Sequence, residues 1–138
     1  MTKEKRISST GFEKRLRRAC DGLVYVSETD SEVEPLFGGR AKSSSSADVL
    51  SAIGVSDLRH VTETDFNKFF ERWTVEKEWF DASQKKIAKR FQALKHLLER
   101  ELTDLKVFRV GKIRVTIYVL GLDKDWKVAG VKTSAIET

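Results

Sequence analysis

The sequence predicts an α+β domain in which amphipathic helices lie on a single antiparallel sheet, and three observations carry that prediction. Residues 81–105 place apolar side chains at Ile87, Phe91, Leu94, Leu98, Leu102 and Leu105, spacings of three and four that stack on one face of a helix. Residues 62–73 repeat the device, with Phe66, Phe69, Phe70 and Trp73 at i, i+3, i+4 and i+7. Behind the long helix come three segments of strand character, 106–110, 113–120 and 126–134, joined by short turns. Adjacent strands so closely connected form an antiparallel meander. A long helix with one apolar side needs a surface to lie on, and the meander supplies it.

Taken in order, residues 1–10 are a polar, basic arm expected to be disordered, and residues 11–138 form one domain. Residues 11–21 make a short helix with Phe12, Leu16 and Ala19 inward and Gly22 closing it. Residues 23–26, reading LVYV, are a short strand. From 27 to 35 acids alternate with other residues, which reads as a loop or an exposed sheet edge. The run GGRAKSSSS at 38–46 reads as a flexible loop. Residues 48–54 fit one or two helical turns with Val49, Leu50 and Ile53 inward. Thr62 or Thr64 caps the aromatic helix. A link at 74–80 carries Trp79.

The long helix opens on Asp81, with Gln84 three residues on, the pattern of a capping box. Its outer face is charged through Lys85, Lys86, Lys89, Arg90, Lys95, Glu99 and Arg100. In the meander, Gly111 and Lys112 form the first turn. Ile113, Val115, Ile117 and Val119 then share one face, and Arg114, Thr116, Tyr118 and Leu120 the other.

The net charge of +5 has an uneven origin. Residues 1–18 hold seven Lys and Arg against Glu4 and Glu13, which accounts for all of it; residues 19–138 hold 19 charges of each sign. A charge run of this size is more often a solvated face than a binding site, so nucleic acid is not the expected partner. No apolar run approaches the roughly 20 residues that span a bilayer, and the first residues lack a secretory pattern. The single Cys20 excludes an internal disulfide and suits a reducing cytoplasm, the expected location.

Enzyme signatures are poor. His60 and His96 are far apart and lack neighbours at metal-ligand spacing, and His96 falls on the polar side of the long helix. There is no glycine-rich phosphate loop. Cys20 reads as a small buried thiol near a helix end. No catalytic residue, cofactor or resident metal is expected. Three other features stand out. Between Ala19 and Gly39 there are five acids (Asp21, Glu28, Asp30, Glu32 and Glu34) and no Lys or Arg. They read as a solvated loop, as a weak cation site lacking the pattern of a calcium loop, or as a lure for a basic partner. Trp79 lies off any apolar stripe, and either packs under the helix start or stands out as an interface anchor. The chain ends directly after its last strand at Glu137 and Thr138, where a carboxylate, a hydroxyl and a neighbouring acid are concentrated.

These residues resemble the nuclease A inhibitor family. The likeness rests on CDGLVYVSE (20–28), TDFNKFF (64–70), EWF (78–80), KRFQALKHLLERELTDLKVFRVG (89–111), IYVLG (117–121), AGVKT (129–133) and the terminal ET, and covers residues 11–138. The resemblance implies an α/β/α sandwich with a central antiparallel sheet, like pathogenesis-related-1 proteins. It implies a non-enzymatic, one-to-one inhibitor of a magnesium-dependent, sugar-nonspecific nuclease of the ββα-metal class. Glu28 and Thr138 match the residues that approach the partner's magnesium, and Trp79 matches the interface tryptophan. Asp30 and Glu137 extend the same acidic contact. Lys77 stands where the family carries a polar amide. The competing reading is a nucleic-acid-binding or protein-interaction module that uses the basic arm and the basic face of the long helix.

Overall fold

The computed structural model describes residues 3–26, 29–74 and 77–136. In chain order the elements are α1 (Lys3–Cys20), β1 (Val24–Val26), β2 (Asp30–Glu32), β3 (Glu34–Arg40), α2 (Ser46–Ser51), β4 (Val61–Thr64), α3 (Phe66–Thr74), α4 (Ala82–Glu101), β5 (Thr103–Val110), β6 (Arg114–Leu122) and β7 (Lys127–Ile136). Five strands form one antiparallel sheet in the order β3-β7-β6-β5-β4, and β1 and β2 pair separately. The expected meander is its centre, with Val107 opposite Val119 and Val119 opposite Val131.

Alternation along β6 gives the sheet two apolar faces. Val115, Ile117 and Val119 point into a core shared with Leu16, Phe66, Phe69, Phe70, Phe91, Leu94 and Leu98, so α1, α3 and α4 cover that side. Leu120 and Leu122 join Phe108, Val128, Val49 and Leu50 in a second cluster beneath α2. The residues of both clusters are almost wholly buried, and among the described residues no buried side-chain polar atom lacks a partner. Among the same residues no helix is long and apolar enough to cross a membrane.

The long helix carries the capping box its sequence announces. Asp81 accepts from the Gln84 N–H at 2.8 Å, and Gln84 accepts from the Asp81 N–H at 2.9 Å. It stops sooner than the apolar spacing implies. Leu102 is its C-cap, and Leu105 lies in β5, where the backbone bulges between Thr103 and Lys106. Asp104 sits in that bulge at φ 54°, a conformation an Asp side chain tolerates better than most. Ile87 and Ile113 were expected inward but are 37% and 60% exposed, Ile113 lying in the turn before β6. Leu97 takes an inward place instead.

Four further expectations are corrected. The GGR of residues 38–40 is the end of β3 rather than flexible loop. A Cβ on Gly38 would come 2.7 Å from Ile53 Cγ2, and Gly39 N–H donates to the Ala52 carbonyl at 2.9 Å, so these glycines admit α2 close to the sheet. Residues 61–64 form edge strand β4 against β5 instead of starting a helix, since pairing with Val107–Val110 supplies backbone partners. Asp65, not Thr62 or Thr64, caps α3, accepting from Lys68 N–H at 3.0 Å. At the N-terminus, α1 begins at Lys3 rather than Gly11; the intervening Lys, Glu and Arg are good helix formers.

Candidate functional site

The acidic stretch after β1 folds back as a hairpin. Val24 faces Glu32, Tyr25 faces Ser31, and Val26 faces Asp30. The two-residue period separates its faces. Tyr25 is buried, lying parallel to the Phe69 ring at 5.9 Å and 4.7 Å from Trp73. Asp30, Glu32 and Glu34 point to water, while Val33 between them is buried. The acids therefore line the exposed face of an amphipathic strand, the second of the two placements the sequence allowed.

The hairpin is tied to the sheet by a residue whose role the sequence reading missed. Thr133 of β7 is buried, and its hydroxyl lies 3.0 Å from the Glu32 carbonyl and 3.4 Å from that of Ser31. The signal was a hydroxyl at an inward position of β7, in register with Ala129, Val131 and Ala135. Because Glu34 pairs with Lys132 in an antiparallel ladder, β2 retreats toward Asp30 as β7 advances toward Ile136. Val26, Asp30 and Ile136 consequently flank one end of the sheet. Glu28, Glu137 and Thr138, the residues expected to reach a partner there, lie outside the described residues.

A second anchor holds the hairpin's root. Arg90 donates to the Ala19 carbonyl at 3.0 Å and to the carbonyl of Asp21, placing a cation on the C-terminal end of α1. Cys20 beside it is buried, and that burial pushes its thiol from 9.0 up to about 12 against a smaller downward pull from Arg90. It is a neutral core thiol at ordinary pH, as its position near a helix end indicated.

Trp79 resolves in favour of exposure. Its side chain is 74% exposed, yet the link that carries it is pinned at both ends. Gln92 donates to the Thr74 carbonyl, Phe80 N–H donates to the Lys77 carbonyl at 3.0 Å, and Asp81 closes into the α4 cap. The indole meets Phe80 edge-on at 6.3 Å, and Lys77 Nζ sits 5.2 Å from its ring centroid. A Tyr25–Trp73–Phe91 ladder of rings sets the hairpin, the end of α3 and the first half of α4 side by side. Trp79 lies between those two helices in sequence. The outer side of α4 there is cationic: Lys85, Lys86 and Lys89 are exposed, and residues 82–98 contain no acid.

No group of three or more His, Cys, Asp or Glu side chains is arranged to hold a metal ion among the described residues. His60 and His96 are both exposed. A cleft of about 360 Å³ beside the hairpin is lined by Arg17, Cys20, Glu32, Glu34 and their neighbours. Chemically, the arrangement offers an acidic ridge, a solvent-facing indole beside the cap of α4 and the end of a well-paired strand, all suited to contact with another macromolecule.

Against known proteins, residues 10–138 match the family model described as nuclease A inhibitor-like protein. No curated protein matches the chain.

Proposed function

The chain belongs to the nuclease A inhibitor-like family, and from that premise we propose that it blocks a magnesium-dependent, sugar-nonspecific nuclease of the ββα-metal class in a one-to-one complex, acting in the cytoplasm. Family membership points to a nuclease as the partner and to an inhibitory, non-enzymatic role. The observation that carries the finer reading is Trp79, 74% exposed on a link that is pinned at both ends. Large exposed aromatics on rigid supports are what hot spots are made of, because little entropy is lost when they dock.

In this reading Glu28 and the terminal Thr138 supply oxygen atoms that take the places of substrate phosphate and water around the partner's magnesium. Asp30 and Glu137 add negative charge that draws a basic catalytic cleft toward that edge. Trp79 fills a pocket beside the cleft. Lys77 fixes the indole from its face, an interaction worth about 0.5–1 kcal/mol at an exposed site.

The test is titration of the purified chain against such a nuclease with plasmid DNA as substrate. Activity is expected to vanish at equimolar inhibitor. Removing a buried charged contact commonly costs about 2–5 kcal/mol, roughly 30- to several-thousand-fold in affinity, so Glu28→Ala and deletion of Thr138 are each expected to raise the inhibition constant by that range. Trp79→Ala is expected to do likewise without changing the melting temperature. A nuclease left fully active by micromolar excess of the chain refutes the reading.

A further inference from the structure

The end of the sheet opposite the hairpin carries an aromatic and cationic corner that nuclease inhibition leaves unused. The β6–β7 turn closes through Trp126 N–H donating to the Asp123 carbonyl at 3.1 Å and Asp123 N–H donating to that of Lys127 at 2.9 Å. Trp126 occupies the left-handed region at φ 64°, where Gly or Asn would be at ease and a bulky side chain is strained. Its indole nevertheless stands 47% exposed. The adjoining end of β3 is fastened to the turn, with Ala41 N–H donating to the Trp126 carbonyl at 2.8 Å.

Four exposed cations lie on the backbone segments that meet at this turn: Arg40, Lys42, Lys124 and Lys127. Arg40 and Lys127 are direct cross-strand partners, so two like charges stand side by side, an arrangement that weakens a sheet. None of the four joins an ion pair among the described residues. The nearest acids in sequence are Asp123 and Asp125. Asp123 Oδ1 is occupied by the N–H groups of Asp125 at 2.8 Å and Lys127 at 2.9 Å, so it serves the turn rather than a lysine. A strained, exposed ring and four cations outside any ion pair among the described residues therefore coincide, with the exposed Asp125 as their nearest opposing charge.

We propose that this corner binds single-stranded nucleic acid, with a base stacked on Trp126 and the flanking phosphates held by Arg40, Lys42, Lys124 and Lys127. Any base offers a π-face to an aromatic platform, and a groove or patch of cations tracks the backbone beside it. A duplex keeps its base faces covered and engages the cations alone. An acidic protein surface matches the charge but gives the ring nothing to stack on. The proposal does not depend on the inhibitory reading, since the residues involved lie at the other end of the sheet.

The test is fluorescence anisotropy of a labelled oligothymidylate of about 20 nucleotides, and of a duplex of equal length, with the full chain. Trp126→Gly suits the left-handed backbone and retains the circular dichroism spectrum and melt; it is expected to weaken single-strand binding about tenfold, the order of one lost stack. The double change Arg40→Gln with Lys127→Gln is expected to reduce the slope of log affinity against log salt by about 1.4, from roughly 0.7 per neutralised phosphate. Lys86→Gln with Lys89→Gln, on α4, is expected to leave binding unchanged. Binding by Trp126→Gly equal to wild type overturns the proposal. So does a duplex bound as tightly as the single strand, a loss on the α4 change as large as at the corner, or no single-strand binding at low salt.

Discussion

Gly130→Ala tests whether the β6–β7 ladder is as unyielding as its geometry implies. A Cβ built on Gly130 falls 1.8 Å from the Val119 carbonyl oxygen, 2.9 Å from its carbon and 3.1 Å from Leu120 Cα. The obstacle is backbone, not the end of a flexible side chain. Val119 is 2% exposed and is paired on both sides, to Val107 and to Val131, so its carbonyl has nowhere to turn. Relief requires β6 and β7 to part by more than about 1 Å, since non-bonded heavy atoms favour about 3.5–4 Å. The ladder bonds around the Leu120–Gly130 pair are then lost. With about 1 kcal/mol net for each bond and about 1–3 kcal/mol for each buried group left unpaired, the cost is on the order of 4–6 kcal/mol. That is a large share of the roughly 5–15 kcal/mol of a typical domain. A chain of this size loses roughly 3–5 °C of melting temperature per kcal/mol, so a fall of about 12–30 °C is expected in a thermal melt followed by circular dichroism. Gly54→Ala is the control. Gly54 has φ +87° but nothing within 4 Å of the added carbon, so only backbone strain of about 1 kcal/mol is expected. A Gly130→Ala melt within about 5 °C of wild type, or equal to that of Gly54→Ala, refutes the reasoning.

Two other perturbations follow from the anchors of the hairpin. The Cys20 thiol titrates at about 12 in the fold against 9.0 ordinarily, so the folded state keeps a proton that the unfolded chain gives up. The stability from this group is whole below about pH 9 and declines by about 1.4 kcal/mol per pH unit above it, toward pH 12. Urea melts from pH 8 upward are expected to show that extra slope in wild type and not in Cys20→Ala; equal slopes contradict it. Arg90→Met removes a charged donor from the carbonyls of Ala19 and Asp21. A loss of about 1.5–3 kcal/mol in urea unfolding is expected, and one below about 0.5 kcal/mol means the end of α1 holds without it.

How much of this was legible depended on whether a signal was local. The α4 capping box, the aromatic stripe of α3 and the alternation of β6 are each written within a few residues, and each is present. Where the deciding partner was distant in sequence, local pattern misled. Gly38 looked like loop because the residues that need its smallness, Ala52 and Ile53 just past α2, are distant in sequence. Val61 to Thr64 carry weak strand character of their own and become β4 through pairing with β5, 43 or more residues on. Of the candidate site, Trp79 was visible as an aromatic without a stripe, and the acids as an uncompensated run. Thr133, which fastens the hairpin, was hidden because nothing in sequence announces a bond across about 100 residues, the separation to Ser31 and Glu32.

Two of the five surplus positive charges belong to residues 1–10, at the end of α1 remote from the hairpin, whereas the other three belong to residues 11–18, where Arg17 lines the cleft with Glu32 and Glu34. The arm residues Lys3, Lys5 and Arg6 stand at the start of α1, and the hairpin follows its end. Eighteen helical residues span about 27 Å at about 1.5 Å each. The screening length at physiological salt is about 8 Å, so the far end of α1 lies about three such lengths from the hairpin's root. The cations that matter locally include Arg17, which lines the cleft with Glu32 and Glu34, and Lys85, Lys86 and Lys89 of α4, which lie next along the helix from Arg90. Deleting residues 1–10 removes three cations and one acid, lowering the net charge from +5 to +3. Because Lys14, Arg15, Arg17 and Arg18 remain, the deletion probes the remote arm alone. At physiological salt it is expected to leave nuclease inhibition within about twofold, while Asp30→Lys, which reverses charge on the ridge itself, slows association by about tenfold or more. A deletion that changes inhibition as strongly as Asp30→Lys would mean that the arm reaches the partner directly, and that the acidic ridge is not what guides docking.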